Sequence, residues 1–224
     1  MEKLDNIEFK NLDLRHVHDS WKNFFNSQKQ QLIKIDSQIG NNFTPPKENI
    51  FKIFSMSIDK IRFVIVGQDP YPQSGHATGR SFERELKDWE GTNASLQAIF
   101  ASIKYHSKEK SQVLAPMDIF KKWEKEKGVF FLNKSLTTEI GVRNGHSEIW
   151  ASFTNALTEY LSACAQVKWL LWGAEAQKLA PLIETKASIL KAIHPAAYSY
   201  SDSEESKRRL HSFIEKSGIS FILD

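Results

Sequence analysis

The run Ile61-Arg62-Phe63-Val64-Ile65-Val66 breaks abruptly into Gly67-Gln68-Asp69-Pro70-Tyr71-Pro72. A short, almost continuous apolar run that ends on glycine predicts a strand covered on both faces, as in a parallel sheet, rather than the alternating pattern of a half-exposed one. Three more runs have this form: Val129 to Leu132, Lys168 to Trp172 and Ser188 to Ile193, meeting Asn133, Gly173 and His194-Pro195. Between the runs lie helical patterns. Leu96, Ile99, Phe100 and Ile103 share one helical face, as do Trp150, Phe153, Leu157 and Tyr160, and, earlier, Val17, Trp21, Phe24 and Phe25. Thr44-Pro45-Pro46 ahead of Glu48 to Phe54 marks a helix start. Ser201 with Glu204 forms a candidate capping box for a last helix that stops before Gly218. Gly40-Asn41-Asn42 and Lys104 to Ser111 read as loops. Strands alternating with helices predict an α/β fold, a three-layer α/β/α sandwich around a central, mainly parallel four-stranded sheet. Residues 1–224 are expected to form one domain.

Composition agrees with a globular domain: 224 residues, 41% hydrophobic and 25% charged, enough apolar material to close a core. A net charge of +3 argues against a charge-driven coat on a polyanion and leaves room for a local contact with one. The single cysteine, Cys164, forbids an intramolecular disulfide and a multi-cysteine zinc site. MEKLDNIEFK carries no apolar run of a signal peptide, and no stretch approaches the roughly 20 apolar residues of a membrane span. The expectation is a cytoplasmic, reduced, soluble monomer with no membrane association, no metal and no cofactor.

Right-handed crossovers place the C-terminal ends of parallel strands on one edge, where open α/β sheets bind ligands. Asp69, Asn133 and His194 would meet there. Singly, each has a bland reading: a turn aspartate, a turn-capping amide, a hydrogen-bonded core histidine. Together, at equivalent strand ends, they point to a site. Tyr71 follows Asp69 by two residues, and Phe82 follows Gly75-His76-Ala77-Thr78-Gly79. An aromatic face beside an amide suits a planar heterocycle, one stacking on it and the other reading its edge. Among 15 phenylalanines, Phe82 could equally be core. Gly75 and Gly79 match neither glycine-rich nucleotide fingerprint, which excludes triphosphate binding on motif grounds.

Val64-Ile65-Val66-Gly67-Gln68-Asp69-Pro70-Tyr71 resembles the water-activating motif of family 1 uracil-DNA glycosylases. The resemblance continues through the Thr44-Pro45-Pro46 segment, through Asn93-Ala94-Ser95-Leu96-Gln97 in place of a Pro-Pro-Ser-Leu loop, and through Gly128 to Asn133. It extends to Leu170-Leu171-Trp172-Gly173 and to His194-Pro195-Ala196-Ala197-Tyr198-Ser199. It implies that Asp69 orients a water and stabilises a cationic sugar, and that His194 donates a hydrogen bond to the departing base. The backbone around Gln68 would bind the base's carbonyl, Tyr71 would exclude a thymine methyl, Phe82 would stack and Asn133 would read the edge. It implies no metal or other cofactor, with uracil-containing DNA, single- or double-stranded, as partner and a proteinaceous inhibitor as a second candidate.

This chain departs from the family pattern at Pro72, where a histidine is usual, at Arg80, Ala196 and Tyr198. Arg80 is assigned to DNA, by reach to a phosphate, with pairing to Glu83 or Glu85 as its alternative. Tyr198 is read as a wedge into the gap left by the base, against packing on the adjacent surface. Ser95 and Ser199 are candidate phosphate donors; His146 is assigned no role. These departures keep two alternatives open: a glycosylase for another modified base, and a catalytically altered relative that binds DNA.

Overall fold

The computed structural model describes residues 7–85, 93–106, 116–163, 167–184, 189–198 and 203–223. Helices α1 (Lys22–Ser27) and α2 (Lys29–Gln38) precede the two-residue strand β1 (Phe43–Thr44) and the short α3 (Lys47–Ile50). Then come β2 (Phe63–Gly67), α4 (Ala94–His106), α5 (Pro116–Lys127), β3 (Val129–Asn133) and β4 (Thr138–Glu139). The chain continues through α6 (Ser147–Ser162), β5 (Lys168–Trp172), α7 (Ala174–Gln177), β6 (Ile189–Ala192), α8 (Glu204–Ser217) and α9 (Ser220–Leu223). The main sheet has the order β3-β2-β5-β6, every pair parallel, and β1 with β4 forms a separate antiparallel pair.

Alternation along the strands builds the two outer layers. Phe130 points to one face, its ring 5.5 Å from Trp21 and 5.4 Å from Phe54. Phe131 points to the other, 5.1 Å from Phe120 of α5. On that second side Trp172 meets Phe213 of α8 at 5.2 Å. Val64, Ile65 and Val66 are fully buried, as expected of a central strand with helices on both faces. Each such aliphatic or aromatic side chain contributes roughly 1.5–3 kcal/mol by leaving water.

Some predicted boundaries move. Strand β2 opens at Phe63 rather than Ile61, because Ile61 closes a 3-10 turn, its N–H donating to Ile58. The helix expected over Glu48 to Phe54 divides into α3 and a 3-10 turn at Lys52–Ser55. The tighter winding, which eclipses positions three apart, sends Phe51 and Phe54 into one aromatic cluster, 5.8 Å between ring centres. Helix α4 runs to His106, so Lys104 belongs to it and not to a loop. The cap of α8 is Ser203, whose hydroxyl accepts the Ser206 N–H at 3.2 Å; the expected cap Ser201 lies outside the described residues, as does Cys164. Gly218 ends α8 at φ 75°, where a Cβ would lie 2.5 Å from Leu190 and 2.6 Å from Leu170. Among the described residues, no helix is long and apolar enough to cross a membrane.

Candidate active site

The sheet register sets Gly67 beside Asn133 and Trp172 beside Ala192, two residues before His194. All these strand ends open into one cleft of about 480 Å³, lined by Gln68, Asp69, Tyr71, Phe82, Asn133 and His194 among others. Gly67 is required by close approach. A Cβ there would fall 2.5 Å from the Asn133 Oδ1 and 2.8 Å from the Ser81 Cβ. Asn133 is 4% exposed and lines the cleft, and its amide makes no hydrogen bond to another described residue.

Asp69 is half-buried behind the Pro70 turn, and its Oδ2 accepts the Asn144 N–H at 2.7 Å. Burial pushes its carboxyl above the usual value, against the pull of the Asn144 N–H and the Arg143 charge. Asn144 takes φ 59°, a left-handed conformation that asparagine tolerates, and its Oδ1 accepts the Gln68 Nε2. Neither Arg143 nor Asn144 was identified from the sequence. Their only signal was the Asn144-Gly145 turn dipeptide, which does not disclose that the turn folds back onto a carboxylate 75 residues earlier.

His194 is half-buried, and burial lowers its pKa, which keeps the ring neutral. Its Nδ1 faces the Ala196 N–H at 3.2 Å. Nδ1 is therefore the acceptor, and Nε2 carries the proton as a donor. The ring stands 5.7 Å from Phe82, which also packs on Trp172 at 5.4 Å.

Phe82 has φ 62°, a conformation that costs a non-glycine residue on the order of 1–3 kcal/mol. The surroundings hold it there. Ser81 N–H donates to Phe131 at 3.1 Å, and the Tyr71 hydroxyl donates to the Phe82 carbonyl at 3.1 Å. On the other side Arg80 donates to Glu83 at 3.0 Å and, through Nε, to Glu124 of α5. Arg80 is only 7% exposed, so the phosphate role expected for it is corrected: its guanidinium is turned inward and shared between two carboxylates. The Glu83 alternative is realised, and Glu124 was missed.

Ser95 lies in the first turn of α4, buried and lining the same cleft. Asn93 just before it caps that helix, its Oδ1 accepting the Leu96 N–H at 3.0 Å. Pro72 is buried, and its carbonyl accepts the Gly141 N–H at 2.9 Å. His146 is buried on Thr137, 2.8 Å away, and lies outside the cleft. Tyr198 closes a 3-10 turn at Pro195–Tyr198, with its side chain outside the described part; Ser199 lies outside the described residues.

An acid, an amide, an aromatic ring and a neutral imidazole donor thus share one cleft. Residues 54–216 match the model of the uracil DNA glycosylase superfamily. A uracil-DNA glycosylase of Psychromonas ingrahamii is 31% identical over 194 residues, covering 80% of this chain and 87% of that one. One of Buchnera aphidicola is 34% identical over 192 residues, covering 80% and 82%. Among solved structures, mimivirus uracil-DNA glycosylase shares the fold with a TM-score of 0.72 at 24% identity, over 99% of this chain and 94% of that one. A single-substitution variant of mimivirus UNG in complex with UGI gives 0.69 at 26% identity, over 86% and 79%.

Proposed function

The chain belongs to the uracil DNA glycosylase superfamily, and from that membership we propose how it excises uracil from DNA. The observation that carries the reading is the gathering of Asp69, Asn133, Phe82 and His194 in one cleft at the strand ends. A base stacked in duplex DNA cannot reach such a cleft, so the nucleotide enters flipped out or from a single strand. Phe82 stacks on the uracil, Asn133 pairs with its edge, and the backbone around Gln68 binds a carbonyl. Tyr71 closes the side on which thymine carries its methyl group.

Breaking the N-glycosidic bond leaves positive charge on the sugar and sends the electron pair to the base. The Asp69 carboxylate stabilises the cationic sugar and orients the water that adds to it. The Nε2–H of neutral His194 meets the base carbonyl where negative charge develops, a fixed donor at the place it is needed. Ser95 and Ser199 bind backbone phosphates, and Tyr198 fills the gap left by the base. The enzyme acts as a cytoplasmic monomer, its residues 1–224 a single domain. A protein inhibitor is a further partner in this reading, supported by the mimivirus UNG variant in complex with UGI.

The test incubates the protein with uracil-containing single- and double-stranded oligonucleotides and then cleaves abasic sites with alkali. Strand scission well above an Asp69→Asn control is expected. Scission no greater than that control rejects the mechanism.

A further inference from the structure

We propose that Asn93 is a positioning residue for base selectivity, bracing Tyr71 from the start of α4. The proposal rests on the reading of Tyr71 as the wall that excludes a 5-methyl group. Asn93 carries a donor and an acceptor, and both are used. Its Oδ1 accepts the Leu96 N–H at 3.0 Å, capping α4, while its Nδ2 donates to the Tyr71 hydroxyl oxygen at 2.8 Å. The one proton of that hydroxyl goes to the Phe82 carbonyl, 3.1 Å away. The direction of the chain is therefore determined: Asn93 to Tyr71 to Phe82.

The chain ties the tip of the Tyr71 ring at two points, one on the helix start beside Ser95 and one on the strained backbone of the stacking residue. A ring held at both points cannot swing aside for a larger base. Without the Asn93 donor it keeps only the Phe82 anchor. Burial holds the Tyr71 hydroxyl protonated, which keeps it in this donor role. The feature belongs to this chain: the Pro-Pro-Ser-Leu loop that the segment resembles has proline here, which offers no side-chain donor.

The test uses the full chain and measures base release from single-stranded oligonucleotides carrying uracil or thymine, the latter at high enzyme concentration. Asn93→Asp keeps a capping oxygen and loses the N–H donor; Asn93→Gly, also tolerated at a helix N-cap, offers Tyr71 no side-chain polar group at all. Both should lower the uracil-over-thymine ratio of kcat/KM by about fivefold, the net worth of one hydrogen bond, with the melting temperature held by a residue that suits the N-cap. In a Tyr71→Phe background, where the acceptor is gone, Asn93→Asp should change the ratio no further. A wild-type ratio in both Asn93 variants, or an undiminished effect in the Tyr71→Phe background, overturns the proposal. Tyr71→Ala separates this failure from that of the underlying reading. If Tyr71→Ala releases thymine while the Asn93 variants keep the wild-type ratio, only the bracing role is wrong. If Tyr71→Ala releases none, the wall itself is wrong and the proposal falls with it.

Discussion

Replacing Gly67 with alanine adds one methyl group between the strand end and Asn133, the residue proposed to read the base. The new Cβ would sit 2.5 Å from the Asn133 Oδ1 and 2.8 Å from the Ser81 Cβ, where ordinary contact begins at 3.4 Å. Asn133 must retreat by about 0.9 Å, and Ser81, which is fully buried, has little freedom to give its share. Overpacking of this kind costs about 1–3 kcal/mol, which for a chain of this length lowers Tm by roughly 2–12 °C. The catalytic cost should be larger in proportion, because a displacement of about 1 Å at a positioned group is worth on the order of a hundredfold in rate. Steady-state kinetics on a uracil oligonucleotide, run well below the variant's melting temperature, separate the two effects. A folded Gly67→Ala protein with kcat/KM within about threefold of wild type would refute the reasoning, since Asn133 would then not need the place that glycine leaves for it.

Arg80→Met removes the cation shared by two carboxylates, one of them on the 1%-exposed Glu83, and should cost about 3–5 kcal/mol in denaturant unfolding. A phosphate-binding arginine would instead leave stability unchanged and reduce the salt dependence of DNA binding by about one unit of slope. Asp69→Asn should melt above wild type at pH 7. Burial raises the Asp69 pKa, so the contribution of that group to stability is present below its ordinary 3.8 and is lost as pH rises through the folded value. The advantage of the variant should therefore vanish as melts are repeated toward pH 3.8; a gap independent of pH would count against the burial of the charge. The kcat/KM profile should show its acid limb above pH 3.8, from Asp69, with no break at 6.5, because burial holds His194 neutral below that value. A break at 6.5 that disappears in His194→Gln would contradict this.

The four strands were legible because their signal is local. Continuous apolar runs ending on Gly67, Asn133, Gly173 and His194-Pro195 record burial on both faces, and parallel topology then brings the ends together. Asp69, Asn133 and His194 followed from their positions at or just after those ends, whereas Phe82, 15 residues beyond Gly67, was singled out only by the glycine-containing stretch before it and by the family resemblance. The direction of Arg80 was not legible. Glu83 is near in sequence, but Glu124 is 44 residues away, and only the packing of α5 against β3 brings it close enough to turn the guanidinium inward. The same holds for Asn144 beneath Asp69, 75 residues apart, and for Asn93 against Tyr71, 22 apart.

By itself the sequence determined the layers of the fold and the chemical groups at its functional edge, since hydrophobic periodicity and strand-end residues are properties of contiguous segments. Tertiary structure alone decided how those groups are held. The left-handed Phe82, the Nδ1 acceptor of His194 and the doubly anchored Tyr71 ring depend on hydrogen bonds and contacts whose geometry exists only once the packed sheet has brought separate loops to one rim.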